Sequence, residues 1–463
     1  MLVEQLYTNC LAQATYYVES DGEAAIIDPL RDTDAYVQKA AERGVKIKYI
    51  LETHFHADFV SGHLDLAKKT GAEIVYGPGA TTLYTIHEAK DGEVLKLGKI
   101  SLEVLHTPGH TPESSCYLLK DEEGKDYCLF SGDTLFVGDV GRPDLLDGKM
   151  TKEELASMMY DSLNTKIKPL ADSIILYPAH GPGSSCGKNL GPETFSTIGT
   201  QKASNYALQP MSREEFIRQV TDGITPPPIY FFDDARLNKS GYESLESVTS
   251  QGNTALNLEA FNALRDQGVT VLDTRIPDEF ELGFIPKSLN IGLNGQFAIW
   301  AGTLLPVHEP LVVVCPVGKE AETVTRLARV GFDQIKGYLN GGIETWSKAG
   351  RQLDMVISIT PEEFALDYKH ENPVVLDVRK PSEWDTCHLE GATFGSLQDL
   401  EKQIPTLKKD DTYYVHCAGG YRSMIAASML KAKGFDRVKN VYGGWSKIKE
   451  LDLPKVMPAK QTA

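Results

Sequence analysis

The chain has 463 residues, too many for a single core, so two to four domains are expected; 41% hydrophobic and 24% charged residues are ordinary for globular proteins. A formal net charge of -17 excludes nucleic-acid binding through general electrostatics, and an anionic substrate would need a local basic pocket against that field. No apolar run approaches a membrane span, the N-terminus lacks the basic and apolar regions of a secretory signal, and seven dispersed cysteines point to a reducing cytoplasm rather than a disulfide framework.

In chain order, residues 1 to about 240 carry short strand-like runs: "AAIID", "IKYILET", "EIVYG", "YCLFSGD" and "SIILYPAH". The second of these runs into "THFHADFVSGH" (53–63), which places His54, His56 and Asp58 at alternate positions of a strand end. Ligands at i and i+2 can face one site. Further candidates each follow an apolar run: His110 in "HTPGHTPES", Asp133 in "FSGDTLF" and His180 in "LYPAHG". Seven of the 11 histidines fall between His54 and His180. Scattered, individually satisfied histidines are the bland alternative; this spacing and context favour a metal site.

The run "GITPPPIYFF" (223–232) and the polar stretch through Ser250 read as a boundary and linker. The chain then repeats itself at a period near 104 residues. "VTVLDTRIPDEFELGFIPKSLNI" (269–291) echoes "PVVLDVRKPSEWDTCHLEGATFG" (373–395), with Asp273 and Arg275 matching Asp377 and Arg379. Two tandem α/β domains follow from that repeat, at 250–355 and 356–463.

The second copy contains "YYVHCAGGYRSMIAASML" (413–430): an apolar strand, Cys417, a short loop with Gly419 and Gly420, Arg422, then a helix. Loop N–H groups and a helix N-terminus create a positive cradle that favours thiolate and an anionic persulfide. A buried structural cysteine is the weaker alternative. In the first copy the loop is "VVVCPVGKEAETV", where Cys315 aligns with Cys417 and Glu320 stands in the place of Arg422. A carboxylate there would repel thiolate and sulfite, so this copy reads as degenerate, with a docking or assembly role and weak activity as the alternative. Cys387 and Trp384 read as packing residues.

Residues 1–240 resemble the metallo-β-lactamase fold family on "HFHAD", "TPGHT", "SGDTLF" and "PAH", which stand in the family's order. The resemblance implies an αββα sandwich. It also implies a second metal site built on the aspartate and a histidine immediately after it; here that position is Phe59, which has no lone pair to donate. A single ion is therefore expected. His54, His110 and Asp133 would form a two-histidine, one-carboxylate set with open positions, suited to non-haem Fe(II), one per chain. His56, Asp58 and His180 would stand behind the ligands, with direct contact by His56 left open. The persulfide dioxygenase branch of the family is similar also in "GRPD", where Arg142 would lie near an anionic substrate or, alternatively, pair with Asp144. Cys186, in the Gly-rich and flexible "GPGSSCGKNLG", would carry sulfane sulfur or be an incidental thiol.

Residues 356–450 resemble the rhodanese domain, with "LDVRKPSEW", "HLEGA" and "GGW" as flanking motifs. The Cys-x4-Arg spacing is shorter than the Cys-x5-Arg of rhodanese-like phosphatases. The whole chain thus resembles a persulfide dioxygenase–rhodanese fusion. That implies a low-molecular-weight thiol persulfide, O₂ and sulfite as reactants, Cys417 and Arg422 in sulfur transfer with Gly419 and Gly420 cradling the sulfur, and no nucleic-acid or membrane partner. A binuclear-zinc glyoxalase-II-like thioester hydrolase and a non-oxidative sulfur-carrier scaffold are the competing expectations. The particular thiol is not encoded in any recognisable segment, and a homo-oligomer is neither required nor excluded.

Overall fold

The computed structural model describes residues 1–145, 150–371 and 373–457. The chain divides into two compact units, Met1–Val248 with Leu305–Val307 and Thr325–Asp333, and the remainder. Among the described residues no helix is long and apolar enough to cross a membrane.

The first unit is built on two six-stranded sheets. The first runs in sequence order through β1 (Leu2–Thr8), β2 (Gln13–Ser20), β3 (Glu23–Ile27), β4 (Lys46–Leu51), β5 (Glu73–Tyr76) and β6 (His87–Glu88). The second contains β7 (Val94–Leu97), β8 (Ile100–His106), β9 (Ser115–Lys120), β10 (Asp126–Gly132), β11 (Ile175–Pro178) and β12 (Ser196–Thr197), also as sequence neighbours. Side-chain alternation explains the layering. In β2, Ala14, Tyr16 and Val18 join a core with Leu102, Val104, Tyr117, Leu119 and Phe130 of the second sheet. Tyr17, on the opposite face, packs instead with Ile26, Ile50 and the helices Asp34–Arg43 and His63–Thr70. The outer face of the second sheet is covered by the helix Lys152–Ser162 and its neighbours, through Ala156 and Met159 against Leu118 and Leu129. Helices therefore cover both outer faces of an αββα sandwich.

The stretch expected to be a linker is helical over Tyr230–Ser240 and Leu245–Gly252. The prolines at 226–228 stop one segment but leave the next free to form a helix. The first of these helices buries Tyr230, Phe231, Asp234 and Asn238.

In the second unit, β13 (Ala255–Leu256), β14 (Thr270–Asp273), β15 (Leu289–Asn290), β16 (Leu311–Val314) and β17 (Ile335–Leu339) form an all-parallel sheet in the order β13-β17-β16-β14-β15. The repeat supplies β18 (Ile357–Ile359), β19 (Val374–Asp377), β20 (His388–Leu389), β21 (Thr393–Phe394), β22 (Tyr413–His416) and β23 (Val438–Val441). The order β18-β23-β22-β19-β21 is the same plan, while β20 pairs with β24 (Lys455–Val456). The central strands β16 and β22 are buried along their whole length, as a parallel sheet covered on both faces requires. The repeated Asp-x-Arg has a structural cause. Arg275 Nη2 lies 2.6 Å from Asp273 Oδ2, and Arg379 Nη2 lies 2.6 Å from Asp377 Oδ2. Both aspartates are wholly buried, so removing either arginine would strand a carboxylate at a cost of about 3–5 kcal/mol.

Candidate metal centre and thiol loop

Strand ends of the first unit deliver the metal-site candidates to one edge of the sandwich. The loop after β4 supplies His54, His56 and Asp58; the turn after β8 supplies His110; Asp133 follows β10 and His180 follows β11. The ligand atoms of His54, His110 and Asp133 lie within 4.8 Å of one another. His110 Nε2 is 3.4 Å, and His54 Nε2 is 3.9 Å, from Asp133 Oδ2. Two donors each about 2.1 Å from one ion stand roughly 3 to 4 Å apart, so the set fits a shared cation better than a hydrogen-bonded cluster.

The other ring nitrogens fix the tautomers. His110 Nδ1 lies 2.8 Å from the Arg142 carbonyl oxygen, and His180 Nδ1 lies 3.1 Å from that of Ala12. A carbonyl only accepts, so both Nδ1 atoms carry the proton and both Nε2 atoms keep a lone pair. Thr53 Oγ1 donates to Asp28 Oδ2 and is left to accept from His54 Nδ1, 3.0 Å away. Burial, and then the neighbouring His56, His110 and His180 imidazoles, hold His54 well below the usual imidazole range, as a neutral ligand must be. Nε2 of His54, His110 and His180 and both oxygens of Asp133 are buried with no hydrogen-bond partner. Orphaned acceptors at that depth are costly unless a cation satisfies them, so the residues fit a metal ion.

His56 faces elsewhere. Its Nε2 is 3.0 Å from Asp28 Oδ1 and 3.4 Å from Glu52 Oε2. Burial opposes its protonation, but the Asp28 and Glu52 carboxylates outweigh it and hold His56 well above the usual range. Burial in turn lifts Glu52 to about 7. Asp58, His180 and Cys186 form a further group, with ligand atoms within 4.8 Å; Asp58 Oδ2 is 3.4 Å and Asp133 Oδ1 is 3.6 Å from His180 Nε2. Phe59 is wholly buried, its ring centroid 4.3 Å from that of His56.

One expectation is corrected, and a second meets its stated alternative. Cys186 does not sit in a flexible loop: it is 1% exposed, and its carbonyl accepts from the Arg142 N–H at 2.8 Å. Arg142 does not offer a free guanidinium. Nε and Nη2 grip Asp144 at 2.7 and 2.8 Å, Nη2 also donates to the Thr225 carbonyl, and Nη1 donates to that of Ser185. Four of its five N–H groups are thereby occupied, which is the salt-bridge alternative with two carbonyl contacts added. Gly141 beside it admits no side chain: a Cβ would lie 2.3 Å from the Asp133 carbonyl oxygen and 2.9 Å from His110 Nδ1.

In the second unit β22 ends at His416, Cys417 follows it directly, and the helix Tyr421–Ala432 begins four residues after Cys417. The Gly420 N–H donates to Cys417 Sγ at 3.2 Å, with Gly420 in a left-handed conformation (φ +112°). The Cys417 carbonyl accepts from Trp445 N–H, and Gly444 permits that approach, since a Cβ there would lie 2.4 Å from the same oxygen. Arg422 is bidentate to Glu383, at 2.6 and 3.0 Å. Tyr421 Oη donates to the carbonyl of Gly292 in the first copy. Cys387 and Trp384 pack: the Cys387 carbonyl accepts from Arg379, and Trp384 stacks on His388 at 3.6 Å. In the first copy burial, then Glu320 and Asp273, push the Cys315 thiol up to about 12.

The Metallo-beta-lactamase superfamily profile matches residues 8–180, and the Rhodanese-like domain profile matches 257–349 and 360–451. A metallo-beta-lactamase structure from Staphylococcus aureus superposes with a TM-score of 0.67 at 33% identity, covering 73% of this chain and 99% of that one. The chain belongs to the metallo-β-lactamase superfamily. Within that superfamily it is similar to hydroxyacylglutathione hydrolase GloC of Haemophilus influenzae, 30% identical over 216 residues that span 42% of this chain and 91% of the relative. It is also similar to the human persulfide dioxygenase ETHE1, 29% identical over 234 residues that span 49% of this chain and 84% of the relative. Two rhodanese-like domains follow the metallo-β-lactamase domain.

Sequence reasoning missed two residues that shape this superfamily's ligand loop here. Asp28 accepts from Thr53 N and Oγ1, both at 2.8 Å. It ends the run "AAIID", so the same strand-end rule that found Asp133 applied to it. Asn238 donates to the carbonyls of His56 and Phe59 and accepts from the Ser61 N–H, each at 2.8 Å. It lies in the helix mistaken for a linker.

Proposed function

We propose that residues 1–240 form a mononuclear non-haem Fe(II) persulfide dioxygenase, 250–355 a catalytically silent rhodanese-like copy, and 356–463 a rhodanese-type sulfurtransferase. The observation that carries the reading is the set of His54, His110 and Asp133, whose imidazole Nε2 and carboxylate oxygen atoms are buried and unpartnered, with no histidine at position 59. His54, His110 and Asp133 would hold the ion, whose open positions would bring thiol persulfide and O₂ together. The overall change is balanced: a persulfide RSSH, O₂ and water give the thiol RSH, sulfite and two protons. Thr53, Arg142 and Asp28 hold the ligand rings in orientation through their backbone and side-chain acceptors. Phe59 and the surrounding apolar side chains exclude water from one flank.

Cys417 thiolate would attack the outer sulfur of a second persulfide, break its S–S bond, release the thiol RSH and carry that sulfur as a persulfide stabilised by the Gly420 N–H and the helix start. Attack of the sulfite sulfur on that sulfane sulfur forms the S–S bond of thiosulfate, breaks the bond to Cys417 and returns the thiolate. Fusion raises the sulfite concentration near Cys417. Arg422, tied to Glu383, is a positioning residue in this reading. Arg142 likewise positions His110 and Cys186 rather than gripping the substrate.

A second reading is a binuclear thioester hydrolase, favoured by the Asp58–His180–Cys186 group beside Asp133 and by the hydroxyacylglutathione hydrolase likeness. Metal analysis with oxygen-uptake measurements across a panel of thiol persulfides decides between them. One iron per chain and stoichiometric O₂ consumption support the dioxygenase; two metals with thioester cleavage and no O₂ uptake overturn it.

A further inference from the structure

The segment Thr325–Asp333 belongs in sequence to the first rhodanese-like copy, yet packs as part of the first unit. It meets the metal-ligand loop directly. Val60 is wholly buried two residues after Asp58, and its N–H donates to the Arg329 carbonyl at 2.7 Å. A buried N–H without an acceptor is strongly disfavoured, so this bond fixes the loop's path.

The segment is held there by two ion pairs from the chain just after β3. Arg31 is wholly buried; it grips both oxygens of Asp333 and donates to the carbonyls of Ala328 and Glu243 at 2.7 and 2.8 Å. Arg329 is bidentate to Asp32, at 2.8 and 2.7 Å. The same stretch reaches the ligand loop from the other side, because the Pro29 carbonyl accepts from Ser61 Oγ and from the Gly62 N–H. The loop carrying His54 and Asp58 is thus clamped between Asn238 and the segment ending at Asp333.

We propose that the segment Thr325–Asp333, taken from the sequence of the first rhodanese-like copy, serves as a brace that holds the metal-ligand loop in its binding geometry. The proposal rests on reading His54, His110 and Asp133 as metal ligands. Arg329, Asp32, Arg31 and Asp333 are positioning residues. The brace also supplies a function for a copy that lacks the arginine of its repeat.

The test uses the full-length protein. Arg329→Gln and Asp32→Asn break the outer pair, whose side chains are 16% and 36% exposed, so folding should survive; Asp333→Asn challenges the buried pair. Backbone hydrogen exchange of the segment covering residues 56–62, without added metal, reads the brace itself. Iron release to a chelator from the Fe(II)-loaded protein reads its consequence. Thiosulfate:cyanide sulfurtransferase activity at Cys417 serves as the internal control. The expected result is exchange at the Val60 amide and iron release each about tenfold faster or more, with sulfurtransferase activity unchanged. Arg329→Lys, which keeps the charge, should return exchange and release part of the way to the wild-type rates. Exchange and release at wild-type rates in Arg329→Gln and Asp32→Asn would overturn the brace. If the wild-type protein takes up no iron, the dioxygenase reading fails, while the exchange measurement still decides the brace.

Discussion

His110 Nδ1 and the carbonyl oxygen of Arg142 stand 2.8 Å apart, so the residue that turns its guanidinium to Asp144 turns its backbone to a metal-site imidazole. Arg142→Ala should therefore loosen His110 and weaken iron binding by about tenfold or more, measured by chelator competition. A raised KM for persulfide with iron affinity intact would instead return Arg142 to a substrate-binding role.

Iron content separates direct ligands from their supports. His110→Ala and Asp133→Ala should lose the metal, and His54→Ala likewise. His56→Ala should lose less, because His56 Nε2 faces Asp28 and Glu52. Equal loss in His54→Ala and His56→Ala, by metal analysis of the purified variants, would make His56 a direct ligand.

Only one copy should transfer sulfur. Cys315→Ser should leave thiosulfate:cyanide activity nearly intact, since burial and Glu320 oppose its thiolate. Cys417→Ser should abolish that activity. Loss of activity in Cys315→Ser would contradict the silent-copy assignment.

The two domains should uncouple at the level of product. Cys417→Ser should leave oxygen uptake largely unchanged and shift the product from thiosulfate to sulfite, read by chromatography after thiol labelling. Cys186→Ser should lower thiosulfate yield without changing iron content if Cys186 relays sulfur; an unchanged yield makes it a packing thiol.

His63 gives a stability signature in pH. Burial, then the neighbouring His56, depress His63 to about 3, against 6.5 for an ordinary imidazole. Below about 6.5 the unfolded chain binds a proton that the folded protein refuses, so this contribution is full above that pH and declines toward pH 3. His63→Phe, in a site lined by Tyr76, Tyr84 and Tyr242, should remove it. Between pH 7 and pH 5 the wild type should lose about 2 kcal/mol more stability than the variant, by denaturant titration.

The residues readable from sequence are those whose signal is local. His54, His110, Asp133 and His180 each follow an apolar run, and a strand followed by Cys417 and a Gly-rich turn announces its cradle within a dozen residues. Repetition exposed the paired Asp273–Arg275 and Asp377–Arg379. What stayed hidden is long-range. Asn238 meets His56 across 182 residues of chain, and Arg31 meets Asp333 across 302. No periodicity records such partners, and the polar helix bearing Asn238 passed for a linker because proline precedes it. The competing fates of Arg142 were both visible, but only the side-chain partners decide between them.

The hydrogen bonds that fix His54, His110 and His180 from behind run to Thr53, Arg142 and Ala12, groups of the protein itself. The donors are thus oriented by the protein's own hydrogen bonds. A set of imidazole and carboxylate donors ranks divalent ions by their intrinsic binding order, in which zinc stands above ferrous iron. Cellular supply, rather than the cage, then decides the occupant, and protein made in zinc-rich medium should emerge mis-metallated and silent toward oxygen until it is stripped and recharged with ferrous iron.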